Sequence, residues 1–200
     1  ARGGSKGIKD KNMIKVLGKP LIEYSFEQIK KSKFIDHTII STDSDKLIKI
    51  SKKNKIDAPF VRPKYISRDN SKSEDAILHA LRFLEKRGQQ FDYVILIEPT
   101  SPLRTHLDID GIIKFNIDKK FTTSVSLSDV STCHPNFMFN IKSNKIYKKF
   151  KSEEFKHLPR QKISKLYFME GSLYIADIEY FKNKKSFTSS NTGGYLMQKW

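Results

Sequence analysis

Cysteine is almost absent from this chain. Cys133 stands alone, which excludes an internal disulfide framework and a thiolate metal cluster. Arginine is scarce too, with 7 residues against 31 lysines. Base-edge and bidentate phosphate contacts favour arginine, so the formal charge of +16 is poor evidence for a nucleic-acid partner. The surplus is also spread evenly: residues 1–100 carry 21 Lys+Arg against 13 Asp+Glu, and residues 101–200 carry 17 against 9. It reads as solvated surface that can still draw in an anionic nucleotide. No zinc finger, RNP pair or recognition helix is present. No apolar run approaches about 18 residues, so no membrane span is expected. No secretory leader is recognised, and the expected location is cytoplasmic.

What the chain does have is bulky packing material, 14 Phe and 8 Tyr, and apolar residues at regular spacing. Leu21, Ile22, Ser25, Phe26 and Ile29 share one helical face. Residues 37–42 read as a β-branched strand, and Leu47, Ile48 and Ile50 as the helix after it. Pro59 and Pro63 keep residues 58–62 extended. Ile77, Leu78, Leu81 and Leu84 mark another helix, which Gly88 ends. Tyr93-Val94-Ile95-Leu96-Ile97 is apolar throughout, as a central parallel strand is. Ile109, Ile112, Ile113 and Ile117 then predict a helix over 106–117, with a strand at 122–127. Strand and helix alternate, so the expectation is one α/β domain over 1–200: three layers, Rossmann-like, with a mainly parallel sheet. Residues 128–165 break the pattern with a lysine-dense patch (Lys142, Lys145, Lys148, Lys149, Lys151, Lys156), read as a β-hairpin around Asn144 or a dimerisation arm. Leu173–Ala176 is expected to return as a strand, and 178–181 as a short helix.

The first dozen residues point most clearly to chemistry. Ala1-Arg2-Gly3-Gly4-Ser5-Lys6-Gly7, followed by Lys11-Asn12, joins a glycine-rich turn to cationic side chains. Such a turn can bring backbone N–H groups close to a polyphosphate. The spacing is neither a Walker A loop nor a dinucleotide fingerprint.

That loop resembles the signature of the acylneuraminate cytidylyltransferases, the CMP-sialic and CMP-legionaminic acid synthetases. The resemblance continues in order through Ser41-Thr42-Asp43-Ser44-Asp45, Val61-Arg62-Pro63, Ile77-Leu78-His79-Ala80-Leu81, Pro99-Thr100-Ser101-Pro102-Leu103-Arg104, Pro159-Arg160-Gln161 and Gly171-Ser172-Leu173-Tyr174-Ile175. It implies a nucleotidyltransferase that moves CMP from CTP to a nine-carbon acidic sugar of the sialic or legionaminic type, releasing pyrophosphate, for surface glycan synthesis. Arg2, Ser5, Lys6 and Lys11 would hold the CTP phosphates, and Asn12 and Arg62 the cytidine. Ser71 and Ser73 sit where the family places hydroxyls near base and ribose, and read equally well as helix caps. Asp43 and Asp45 read as helix-start residues favoured by the dipole. Glu98, Arg104, Arg160 and Glu170 fall on the implied acceptor-sugar side.

Two of these depart from the family pattern. Glu98 stands where Gln is usual and Glu170 where Asn is usual, which favours a different sugar over a lost activity. The resemblance further implies Mg2+, with its aspartates expected beyond Trp200, a first strand expected before Ala1, and a homodimer joined through the arm at about 128–165. The alternatives are a cytidylyltransferase for a pseudaminic or Kdo-type acid, or a non-catalytic nucleotide- or RNA-binding protein. The Kdo branch fits less well, because the Pro99–Arg104 loop resembles the sialate group.

Overall fold

The computed structural model describes residues 1–4, 7–130, 133–149 and 163–198. The chain divides into two units. One comprises Ala1–Ser126 with Gly171–Tyr195, the other Leu127–Glu170 with Leu196–Trp200.

In the first unit, a short antiparallel ribbon of β1 (Lys15–Val16) and β2 (Lys19–Pro20) leads into α1 (Leu21–Lys31). Helix α1 buries Ile22, Ser25 and Phe26, part of the face that the periodicity predicts. Ile22 and Phe26 join Ile40, Leu47 and Ile56 in one apolar cluster. Helix α2 (Asp45–Lys53) begins on Ser44, whose hydroxyl accepts from the Leu47 N–H at 3.5 Å. Asp45 in its first turn and Lys52 and Lys53 in its last complement the helix dipole. The N-cap is therefore Ser44, and Asp43 lies outside the helix with a different partner.

Helix α3 (Ser73–Glu85) buries Ala76, Leu78, Ala80, Leu81 and Leu84. β3 (Tyr93–Ile97) follows, its Val94 and Leu96 packed on a second cluster that includes Leu78, Leu81, Phe181 and Phe187. Helix α4 (His106–Asp118) starts with a capping box between Thr105 and Asp108. It buries Ile109, Ile112 and Ile113, but Ile117 is 45% exposed. Asn116 takes the inward slot instead, donating to the Phe121 carbonyl and accepting from Ser124.

The strands overturn one expectation. β3, β4 (Thr123–Asp129), β7 (Tyr167–Asp177) and β8 (Thr192–Leu196) make one sheet in the order β3-β7-β4-β8. β7 is antiparallel to β3, with Tyr93 opposite Asp177 and Ile97 opposite Leu173. It is antiparallel to β4 as well, because Asp177 bonds Thr122 while Val130 bonds Leu166. Only β4 and β8 run parallel, through Thr122 N to Asn191 O and Met197 N to Leu127 O. The sheet is mixed and mostly antiparallel, not mainly parallel. The cause is the link between β4 and β7. A crossover helix would return the chain to the starting edge and give a parallel neighbour. Here residues 130–166 intervene with no α-helix among those described, only the short 3-10 turn Pro135–Phe137, and β7 re-enters beside β4 in the opposite sense. After β7, the short helix α5 (Ile178–Lys184) starts on Asp177, whose carboxylate accepts from Tyr180 N at 2.8 Å.

The second unit contains the hairpin of β5 (Phe139–Lys142) and β6 (Lys145–Lys148), paired Lys142 to Lys145 and Ile141 to Ile146. Its two-residue turn is Ser143-Asn144, both at positive φ, as a type I′ turn requires.

Candidate active site

The site grows from two extended segments joined by parallel bridges, Ile39 to Asp57 and Thr42 to Val61. Successive side chains in an extended segment point to opposite faces. Ile40 is buried in the apolar cluster, so Ser41 faces the other way. There it meets Arg62, which the bridge to Thr42 brings alongside. Arg62 Nε donates to the Ser41 hydroxyl at 3.0 Å, Nη2 donates to the Ser41 carbonyl, and Arg62 N donates to the Thr42 carbonyl at 2.8 Å.

The glycine-rich segment is fastened to the same place at three successive residues. The nitrogen of Ala1 donates to the Ser41 carbonyl at 3.2 Å. The Arg2 carbonyl accepts from Asn12 Nδ2 at 3.4 Å, and its guanidinium pairs with Asp69 at 2.8 Å. The Gly3 N–H donates to Asp43 Oδ1 at 2.9 Å. Gly3 also presses on the start of α2: a Cβ there would lie 3.2 Å from Ser44 Cβ, tight for any side chain. Gly4, by contrast, has open space around it.

Charge concentrates on Arg62. Burial pushes its pKa below the ordinary value, Asp43 pulls it back, Arg2 pushes it down again, and Glu98 raises it. The Glu98 carboxylate is thus felt on the Arg62 side of the site. His79 of α3 lies edge-on to Phe60 at 4.6 Å, and its pKa is lowered by burial and then by Arg62.

Of the residues singled out from sequence, Arg2, Asn12, Arg62 and Glu98 therefore act on one another in this region, with Lys11 beside Asn12 in the short 3-10 turn Lys11–Met13. Ser71 braces its own loop, accepting from Arg68 N at 3.0 Å and donating to the Tyr65 carbonyl at 3.3 Å. Ser73 is the exposed first residue of α3, not its cap, which is Lys72.

Arg104 is 3% exposed. It donates to the Glu98 carbonyl at 2.9 Å, the Ser172 carbonyl at 3.3 Å and the Ser25 hydroxyl at 2.8 Å. It thereby ties the end of β3 to β7 and α1, and it orients the loop from inside. Glu170 is half-buried in β7 of the second unit, just before Gly171 at φ +83°. Ser5, Lys6 and Arg160 lie outside the described residues, as do Lys151 and Lys156 of the lysine-dense patch. Sequence reasoning missed Ser41 as a ligand of Arg62, Asp43 as a partner of Gly3, and Asp69 as the counter-ion of Arg2. The first two stand in a motif that was visible. The last is 67 residues from its partner and carries no local signal.

The Mg2+ that the resemblance implies finds no ready site here. Among the described residues no group of three or more His, Cys, Asp or Glu is placed to hold a metal. No helix of the described chain is long and apolar enough to cross a membrane.

This α/β fold with its mixed sheet is of the nucleotidyltransferase class. The CMP:2-keto-3-deoxy-manno-octonic acid synthetase complexed with CTP superposes with a TM-score of 0.70, over 98% of this chain and 87% of that one. At 13% identity, this likeness is one of fold alone. Residues 1–191 match the cytidylyltransferase family model, and the chain belongs to that family. It is 42% identical over 103 residues to the pseudaminic acid cytidylyltransferase of Campylobacter jejuni, a match covering 52% of this chain and 44% of that protein. It is 32% identical over 201 residues to the N-acylneuraminate cytidylyltransferase of Streptococcus agalactiae, covering 100% of this chain and 47% of that protein. Each of these two sequence matches takes in less than half the relative's length.

Proposed function

We propose that the protein transfers CMP from CTP to a nine-carbon acidic sugar and releases pyrophosphate, with a sugar of the pseudaminic type. The observation that carries the reading is the gathering of Arg2, Asn12 and Arg62 around Ser41 and Asp43, directly behind a glycine-rich loop.

In the reaction, a sugar hydroxyl oxygen attacks the α-phosphorus of CTP. The new oxygen–phosphorus bond forms as the bond to the β-phosphate oxygen breaks, pyrophosphate leaves, and the hydroxyl proton is lost. Negative charge grows on the transferring and leaving oxygens, so fixed cations lower the barrier. Arg2 and Lys11, with Ser5 and Lys6, take the phosphates. Arg2 would exchange its exposed pairing with Asp69 for the triphosphate. Asn12 and Arg62 take the cytidine. A divalent cation, as the family implies, would neutralise phosphate charge.

The pseudaminic preference has two supports. The higher local identity is to a pseudaminic acid enzyme, and Glu98 and Glu170 both depart from the sialate pattern on the implied acceptor side. The same reading makes the protein a cytoplasmic homodimer, joined through the arm that holds β5 and β6, and its product a donor for surface glycans. Calorimetric titration with CTP, ATP and GTP tests the nucleotide half. CTP is expected to bind at least about tenfold more tightly than either purine nucleotide, a difference of about 1.4 kcal/mol. Equal binding of all three contradicts it.

A further inference from the structure

We infer that Asp43 is a positioning residue for the nucleotide: its carboxylate holds the glycine-rich loop by the Gly3 N–H, and it directly follows Thr42, whose carbonyl accepts from Arg62 N at 2.8 Å. This assignment rests on the CTP reading above and deepens it.

Three observations support it. First, Asp43 is not used by its own helix. Ser44 caps α2, which leaves the Asp43 carboxylate to accept from Gly3 N at 2.9 Å across 40 residues of sequence. Second, Gly3 sits where a Cβ would meet Ser44 at 3.2 Å. The loop therefore approaches this point closely, with Gly3 seated against the residue that follows Asp43. The Gly3 amide is committed to the protein, and the open loop begins only at Gly4. Third, Arg62 is half-buried, and Arg2 adds a second positive charge to its surroundings. Asp43 is the largest of the favourable charges acting on it, ahead of Glu98.

One carboxylate thus sets the position of a loop that would meet phosphates and steadies a cation that would meet the base. A charge-assisted hydrogen bond to a backbone N–H is among the stronger ones available. Preorganising a loop in its binding conformation improves affinity by removing ordering costs from the binding step.

The test uses the full-length protein with Asp43→Ala and Asp43→Asn, CTP titration by calorimetry, and steady-state pyrophosphate release. Asp43→Ala is expected to weaken CTP binding and raise KM for CTP about tenfold, while kcat changes less than about threefold. Asp43→Asn keeps an oxygen that can accept from Gly3 and loses only the charge, so a smaller loss of about threefold is expected. A merely structural residue would lower the melting temperature of Asp43→Ala and leave KM for CTP at the wild-type value; that result overturns the assignment. If Asp43→Ala does not fold, Asp43→Asn decides, since unchanged CTP affinity there also overturns it. A wild-type protein that binds no CTP would instead overturn the underlying functional reading, so the two failures are distinguishable.

Discussion

Arg62 is held by Ser41 twice over, through a hydroxyl that accepts from Nε at 3.0 Å and a carbonyl that accepts from Nη2. The planar guanidinium meets the two oxygens with two different nitrogens held in one plane, which a lysine ammonium cannot do. Arg62→Lys keeps the charge and loses that fork. It is expected to weaken CTP binding about tenfold, or about 1.4 kcal/mol, with little change in melting temperature. Affinity equal to wild type would remove Arg62 from the nucleotide site.

Arg104 behaves differently because it is interior. Its guanidinium reaches the Glu98 and Ser172 carbonyls and the Ser25 hydroxyl, so removing it takes a donor from each, although the two carbonyls still accept from Ser101 N and Glu98 N. Arg104→Met should cost about 2–4 kcal/mol of folding stability. Chemical denaturation measures it, and a midpoint at the wild-type value would show that the ties contribute nothing.

Gly193 of β8 is a packing glycine. A Cβ there would lie 2.7 Å from Phe115 Cε1 and would also strike the ring of Phe121. Both are ring carbons tilted against each other with centroids 5.2 Å apart, and neither is the end of a flexible chain. Gly193→Ala should lower stability by about 1–3 kcal/mol through overpacking. A neutral or stabilising effect would mean that the two rings yield freely.

His79 gives the fold a pH dependence of definite sign. Its Nδ1 is buried with no hydrogen-bond partner among the described residues. Burial, and then Arg62, hold its pKa below the ordinary 6.5. The unfolded chain takes up this proton before the folded one does. The stability tied to His79 is therefore complete above 6.5 and is lost as pH falls through 6.5 toward the folded value. His79→Phe keeps an aromatic edge for Phe60. It should flatten the loss of stability between about pH 7 and about pH 5. Parallel wild-type and variant curves would contradict the assignment.

The hairpin carries a test of the proposed dimer. Ile141 and Ile146 are paired across it and are 77% and 65% exposed. A two-stranded hairpin with an uncovered apolar pair is marginal by itself. Ile141→Asp is expected to convert a dimer into a monomer in sedimentation analysis. A dimer unaffected by the change would move the interface elsewhere.

These relationships differ in how far the sequence discloses them. Helices α1, α3 and α4 are legible from spacing alone, and β3 falls on the five residues of its apolar run, because periodicity and propensity are local properties. The sense of the strands is not local. Tyr93 meets Asp177 across 84 residues, and no pattern within β3 distinguishes a parallel partner from an antiparallel one when both faces are apolar. β8 escapes notice because Thr192-Gly193-Gly194-Tyr195-Leu196 has two glycines where strand formers are expected, and the reason for one of them, the rings of Phe115 and Phe121, is tertiary. At the site, the motif residues Arg2, Asn12 and Arg62 are legible. Asp43 reads from sequence as a helix-start residue because an Asp before a helix usually serves the helix dipole, but Ser44 takes the capping role.

The central claim is tested most directly by pyrophosphate release from the full-length protein with CTP, a divalent cation, and pseudaminic, legionaminic, N-acetylneuraminic or Kdo acid in turn. The account predicts release that depends on both CTP and sugar and is fastest with pseudaminic acid. Release fastest with N-acetylneuraminic acid would contradict the sugar assignment, and no release with any of the four would contradict the proposed transfer.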